Sequence, residues 1–220
     1  MIIQRHQSPS APSWLVLFFS LLLSPLASAQ PSANCSCLWQ GSFNKVAASA
    51  DLIVSGEIIA HKGNSADLSI EQTLYDRGVN FTEFNPVIRI WGDDGKQCRP
   101  ALDDFPTGST WLMALHKIDG DVSGGFNPST PNISYGRVND YYLSKCGAYW
   151  LQLTEGYVSG NLINGPRWQW HNDAMNPVLL ELIDAYLKDI LPDRALIEAA
   201  KPQTAAKKLM EQTKQFIQTQ

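Results

Sequence analysis

The chain has 220 residues and a formal charge of −4, with 17 Lys+Arg against 21 Asp+Glu. That balance excludes the basic stripe of a broad nucleic-acid binder. With 44% hydrophobic and only 17% charged residues, and seven Trp and seven Tyr, the composition excludes a disordered chain and points to a packed, aromatic-rich β domain.

Residues 1–29 read as a secretory signal. Arg5 and His6 form a mildly basic start, WLVLFFSLLL (14–23) is an apolar run, and ASA (27–29) offers small residues before Gln30. Ten apolar residues are too few for a spanning helix, which needs about 20. Asn34 before Cys35 does not fit a lipid-attachment motif. The expectation is an exported chain, periplasmic or extracellular and soluble once the signal is removed, with no membrane span.

NCSCLWQ (34–40) follows, carrying two of the four cysteines. Export makes disulfides the default reading of Cys35, Cys37, Cys98 and Cys146. A Cys35–Cys37 bond would close a very tight ring against the preferred Cα separation of about 5.5–6 Å. In an extended segment the side chains at i and i+2 share a face. Cys35 and Cys37 are therefore expected to bond two different strands, as Cys35–Cys98 with Cys37–Cys146 or as the crossed pair. The absence of a Cys-x2-Cys or nearby His pair argues against zinc, and the absence of Cys-x-x-Cys argues against a redox motif.

GSFNKVAASA (41–50) predicts a short helix capped by Ser42, with Phe43, Val46 and Ala47 on one face. DLIVSGEIIAH (51–61) predicts a buried strand with a bulge or close approach at Gly56. ADLSIEQTLYD (66–76), PVIRIW (86–91) and TWLMALHKI (110–118) predict three more strands, and GDDG (92–95) a turn just before Cys98. YYLSKCGAYWLQL (141–153) and GYVSGNL (156–162) supply the last strands, around the turn TEG (154–156). In NPVLLELIDAYLKDIL (176–191), Val178, Leu179, Leu182, Ile183, Tyr186, Leu187 and Ile190 fall at helical spacing, with Pro177 in the first turn. DRALIEAAKPQTAAKKLMEQTKQFI (193–217) continues as helix, interrupted before Pro202. The order predicts an α+β fold, a small barrel with a short N-terminal helix and a C-terminal helical tail.

Cys-Ser-Cys after a signal peptide, a short helix, and then ADLIVSGEI in register resemble the amino-terminal domain of tissue inhibitors of metalloproteinases. The block YYLSKCGAYWLQLTEGYVSGNL is similar to the closing segment of bacterial secreted proteins that share this netrin-like domain. The resemblance spans roughly residues 34–162. It implies an OB-type five-stranded Greek-key barrel and the pairing Cys35–Cys98 with Cys37–Cys146. It also implies a protein-contact ridge of Ser36, Leu38, Lys96 and Gln97 beside Cys35 and Cys37. In the inhibitors the first cysteine is the mature amino terminus, whose free amine and carbonyl chelate the protease zinc. Cleavage after Ala29 would leave Cys35 with an amide nitrogen, which has no lone pair for a metal. The fold carries over more readily than the inhibitory chemistry.

Local catalytic motifs are missing. His61, His116 and His171 stand far apart in sequence, and His-Glu-x-x-His, Gly-x-Ser-x-Gly and a phosphate-binding Gly-rich loop are absent. His116, in an apolar strand, reads as a hydrogen-bonded, partly buried histidine. Trp168 and Trp170 in RWQWHN (167–172) read as packing residues at a barrel-to-helix junction. The domains expected are a signal at 1–29, a netrin-like barrel at 30–172 and a helical extension at 173–220. The function expected is a non-enzymatic protein-binding module without cofactor or metal, its partner a protein of unspecified identity. Two alternatives stand beside it: a metalloproteinase inhibitor proper if processing exposes Cys35, and a periplasmic enzyme or structural envelope component whose groups meet only in three dimensions.

Overall fold

Apolar and β-branched residues between 52 and 58 place β1 (Leu52–His61) at the centre of the molecule, where both of its edges are hydrogen-bonded. On one side it pairs antiparallel with β2 (Ser65–Asp76), Ile53 opposite Tyr75; on the other with β4 (Thr110–Lys117), Ile53 opposite Ala114. The computed structural model from which this is read describes residues 35–78, 86–92, 97–120, 122, 125, 128–129, 134–163, 175–201, 209, 212–213 and 215–216. The expected signal peptide, Asn34, Lys96, His171, Trp168 and Trp170 lie outside them, as does most of the chain after Pro202.

From β2 the sheet continues antiparallel to β3 (Val87–Trp91), with Leu68 opposite Ile88. β3 pairs parallel with the two-residue β5 (Tyr141–Tyr142), Ile90 opposite Tyr141, and β5 returns antiparallel to β4, where Tyr142 faces His116. The ring β1-β2-β3-β5-β4 is thereby closed. The fold is a closed five-stranded β-barrel with added strands and short helices, an α+β architecture. Closure leaves no free edge in the ring. Leu52, Val54, Leu68, Ile90, Leu112 and Leu115 lie in the apolar core.

Beyond β5 the chain returns to β4 as β6 (Trp150–Thr154), with Leu151 opposite Leu112. β6 turns into β7 (Tyr157–Ser159) through Glu155 and Gly156, at φ 50° and 78°. Two positive φ values in a two-residue loop are the type I′ geometry that suits the twist of a hairpin. Gly56 does what its place in a strand implied. The β1–β2 register shifts beside it, and a Cβ there would run into the carbonyl oxygen of Ser69.

Two buried acids show how the barrel tolerates charge. Asp67 on β2 accepts hydrogen bonds from Arg89 Nε at 2.8 Å and Nη2 at 3.1 Å, and Lys62 Nζ lies 3.0 Å away. Burial pushes its carboxyl up, but the bonds and charges of Lys62 and Arg89 outweigh this and hold it below the usual range. Asp140 accepts from Trp91 Nε1 at 2.8 Å and from Arg137 at 2.9 Å, fixing the short β3–β5 seam from both sides.

The helices differ in detail from the sequence expectation. Ser42 does stand at the N-cap position of α1 (Phe43–Val46), which runs into a 3₁₀ turn (Ala47–Ser49), but its side chain makes no capping bond. Phe43, Val46 and Ala47 are buried. Val178 and Leu179 are not helical. They form β8, pairing with β7 as Val158–Val178 and Tyr157–Leu179, so Pro177 is not in a helical first turn. The edge of β7 takes up their backbone groups, and α2 (Leu180–Leu187) starts only after them. Leu180 and Ile183 become its buried face, while Leu179 and Ile190 are exposed. Asp189, at φ 57°, breaks the helix, and α3 (Asp193–Ala200) stops with Lys201 extended, as a following proline requires. Leu196 and Ala200 join the same core as the barrel. No helix among the described residues is long and apolar enough to cross a membrane.

Candidate functional site

Residues 35–40 lie extended, with burial alternating residue by residue: Cys35, Cys37 and Trp39 are half-buried, and Ser36, Leu38 and Gln40 are exposed. This is the period-2 face sharing that Cys-x-Cys implied. Cys35 bonds Cys98 with Cα atoms 5.1 Å apart, and Cys37 bonds Cys146 with Cα atoms 5.8 Å apart. Of the two pairings the residues left open, this is the one the family resemblance implied. The two bonds span 63 and 109 residues of sequence.

Hydrogen bonds set the same segments side by side. The amide of Gln40 donates to the Cys146 carbonyl at 2.7 Å, and the amide of Lys145 donates to the Cys98 carbonyl at 2.8 Å. Tyr149 Oη donates to Gln40 Oε1 at 2.5 Å. Cys98 takes φ 55°, a left-handed conformation rare for a residue with a side chain, so the chain turns sharply where the ribbon is tied. Arg99, just beyond, is buried, stacks over the Tyr142 ring at 4.9 Å, and donates to the Tyr135 carbonyl at 2.5 Å.

The result is a ribbon tied down by its inward cysteines and by Gln40, with Leu38 turned outward between them. Leu38 is 81% exposed, more than any other large apolar side chain among the described residues. Ser36 is exposed nearby, and half-buried Gln97 immediately precedes Cys98, the partner of Cys35. Of the four ridge residues expected, Ser36 and Leu38 are exposed on the ribbon, Gln97 adjoins Cys98, and Lys96 lies outside the described residues.

A second cluster lies at one end of the barrel. His116 on β4 is mostly buried, with its ring against Tyr142 at 5.3 Å and Tyr149 at 5.1 Å. Its Nδ1 is 3.7 Å from Asp51 Oδ2, too long for a hydrogen bond, and that oxygen already accepts the Lys117 amide at 2.9 Å. Burial lowers the His116 pKa, with Asp51 pulling against it. Asp51, Asp76, Arg77, Lys117, Asp119 and Tyr141 line a cavity of about 460 Å³. Burial raises the Tyr141 phenol, and Asp76, Asp51 and Asp119 push it further. His61 is elsewhere, donating from Nε2 to the Phe105 carbonyl at 2.9 Å.

No local motif marks this cluster, because Asp51 and His116 meet only through the β1–β4 pairing. The Sγ atoms of Cys35, Cys37 and Cys98 lie within 4.8 Å of one another because Cys35 and Cys98 are bonded and Cys37 shares their face, and with all four cysteines in disulfides this gathering offers no thiolate to a metal.

The chain matches no protein-family model, and no curated protein and no solved structure matches it either. Its function is therefore read from the residues themselves.

Proposed function

We propose that the chain is an exported, non-enzymatic protein-binding module, a netrin-like OB-type barrel that presents its disulfide-clamped N-terminal ribbon to another protein. The observation that carries this is Leu38, 81% exposed on a segment fixed at two points by covalent bonds. A large apolar side chain held rigidly in water contributes nothing to the fold. At a contact it offers buried area without the entropy cost of ordering the segment. The circular order β1-β2-β3-β5-β4 with its one parallel pair supports the OB-type Greek-key assignment. Two disulfides of long span support export.

Immobilised protein, challenged with periplasmic or secreted extract, is expected to retain a partner at micromolar concentration, and Leu38→Glu to release it. Retention of no specific partner, or of the same partner by L38E, would count against the reading. Amino-terminal sequencing separates the narrower inhibitor form: a start at Cys35 supplies the free amine that zinc chelation requires, and a start at Gln30 removes it.

One observation favours a second reading, a hydrolytic enzyme. A histidine stands beside an acid that lines an open cavity, His116 with Asp51. Asp51→Asn with unchanged turnover across a panel of ester, amide and phosphoester substrates would dispose of it. Against it, the carboxylate already serves the β1–β4 backbone through Lys117.

A further inference from the structure

A cavity of about 570 Å³ opens beside the seam that closes the barrel, between the β2–β3 face and the segment 137–141 that leads into β5. Small-molecule sites commonly run from about 300 to 1,000 Å³. Asp67 and Arg89, cross-strand partners, form one wall. Asp67 takes the Nε–Nη2 edge of the Arg89 guanidinium, at 2.8 and 3.1 Å. A guanidinium also carries a second fork of N–H groups, the Nη1–Nη2 edge. Nη1 of Arg89 donates to no group among the described residues, so the fold itself leaves that edge unused. Both acids of the wall, by contrast, are already occupied. Lys62 and Arg89 bind Asp67, while Asp140 accepts from Arg137 on one oxygen and from Trp91 Nε1 on the other. Three cations thus meet two carboxylates, and one positive charge is unbalanced. Val87 and exposed Val138 line the same space.

We propose that this cavity binds a small organic monocarboxylate, its two oxygens on the Nη1–Nη2 edge of Arg89 and its hydrocarbon body against Val87 and Val138. A monoanion matches the unbalanced charge, a planar pair of oxygens matches the fork, and a short apolar body matches the valines. Sulfate would bring a second negative charge that no cation of the cluster is left to meet. The ligand would lie against both β3 and the segment that feeds β5, so binding steadies the seam where the ring closes. The site shares no residue with the ribbon and stands whether or not Leu38 meets a partner.

The test is isothermal titration of the full oxidised chain with 4-methylpentanoate, with the matched 4-methylpentanamide and with sulfate, beside urea unfolding. One carboxylate is expected to bind per chain and to raise the urea midpoint as its concentration rises. The amide and sulfate are expected to bind more weakly by about tenfold. Arg89→Lys keeps a cation beside Asp67 but has no planar fork, and it is expected to weaken carboxylate binding by about tenfold. Val138→Asp, at an exposed position, is expected to weaken it by a similar factor through like-charge repulsion and loss of the apolar wall. If Arg89→Lys fails to fold, Val138→Asp decides alone. No saturation by 4-methylpentanoate at about 10 mM, equal binding of the amide or of sulfate, or undiminished affinity in a folded R89K or V138D chain would each overturn the proposal.

Discussion

The two ends of the described chain are fastened to the barrel by opposite means. The N-terminal ribbon, residues 35–40, is held by two disulfides and a few hydrogen bonds, and it turns Leu38 outward. The C-terminal pair α2 and α3 has no covalent tie and is held by burying Leu180, Ile183, Leu196 and Ala200 in the common core. An element held by burial must spend its apolar side chains on its own attachment. One held by sulfur can display them. The difference explains why the most exposed large apolar residue among the described ones sits on a segment tied twice by sulfur.

The contrast breaks first at its strongest point. Replacing Cys37 and Cys146 together by serine removes a cross-link spanning 109 residues. The chain-entropy account puts the loss at about 4 kcal/mol, a large share of an ordinary domain's stability. A urea midpoint shift of that size is expected, together with loss of partner binding. A shift under about 1 kcal/mol would mean that hydrogen bonds, not sulfur, hold the ribbon. For the helices, Ile183→Ala empties a fully buried position. The expected cost is about 3 kcal/mol by urea unfolding, with partner binding unchanged below the transition. Impaired binding in I183A would place the contact surface on the helices and reverse the assignment of roles.

These two attachments were unequally legible in the sequence. The clamp could be anticipated because Cys-x-Cys in an extended segment admits few geometries, although the choice between two pairings needed the family likeness. β1, β3 and β4 were readable for the same kind of reason: short apolar runs such as LIVS and WLMAL fit a buried strand. At the C-terminal boundary the helical spacing of Val178 and Leu179 is genuine, but their backbone is taken by the edge of β7. Helical periodicity cannot report a strand edge supplied by residues twenty positions earlier. The Asp51–His116 cluster was invisible for the related reason that it depends on which strands become neighbours.

Leu38→Ala sharpens the comparison from the other side. With its side chain 81% exposed, truncation is expected to move stability by less than about 0.5 kcal/mol while weakening partner binding at least tenfold. Isothermal titration against the captured partner, beside a urea curve, reads both. A variant that unfolds earlier but binds equally well would mean that Leu38 packs rather than presents.

The smallest effect concerns the junction beneath the ribbon. Gln40 is bonded to Tyr149, and Tyr149 lies against His116, so a titratable ring sits two contacts from the display surface. Burial holds the His116 pKa below its ordinary value of 6.5, with Asp51 opposing. The unfolded chain therefore takes up this proton at a higher pH than the folded one. Stability from this group is complete above about pH 6.5 and falls as pH drops from there toward the folded-state value. Asp67, held below the usual carboxylate range after burial is outweighed by Lys62 and Arg89, loses its contribution in a separate window, below about pH 4. Urea midpoints measured from pH 7.5 to 5 are expected to decline in the wild-type chain and to flatten in His116→Gln. An unchanged slope in that variant would show that the ring is not desolvated by folding. The ribbon's footing would then be insensitive to mild acid, and the sulfur bonds alone would set the conditions under which Leu38 is displayed.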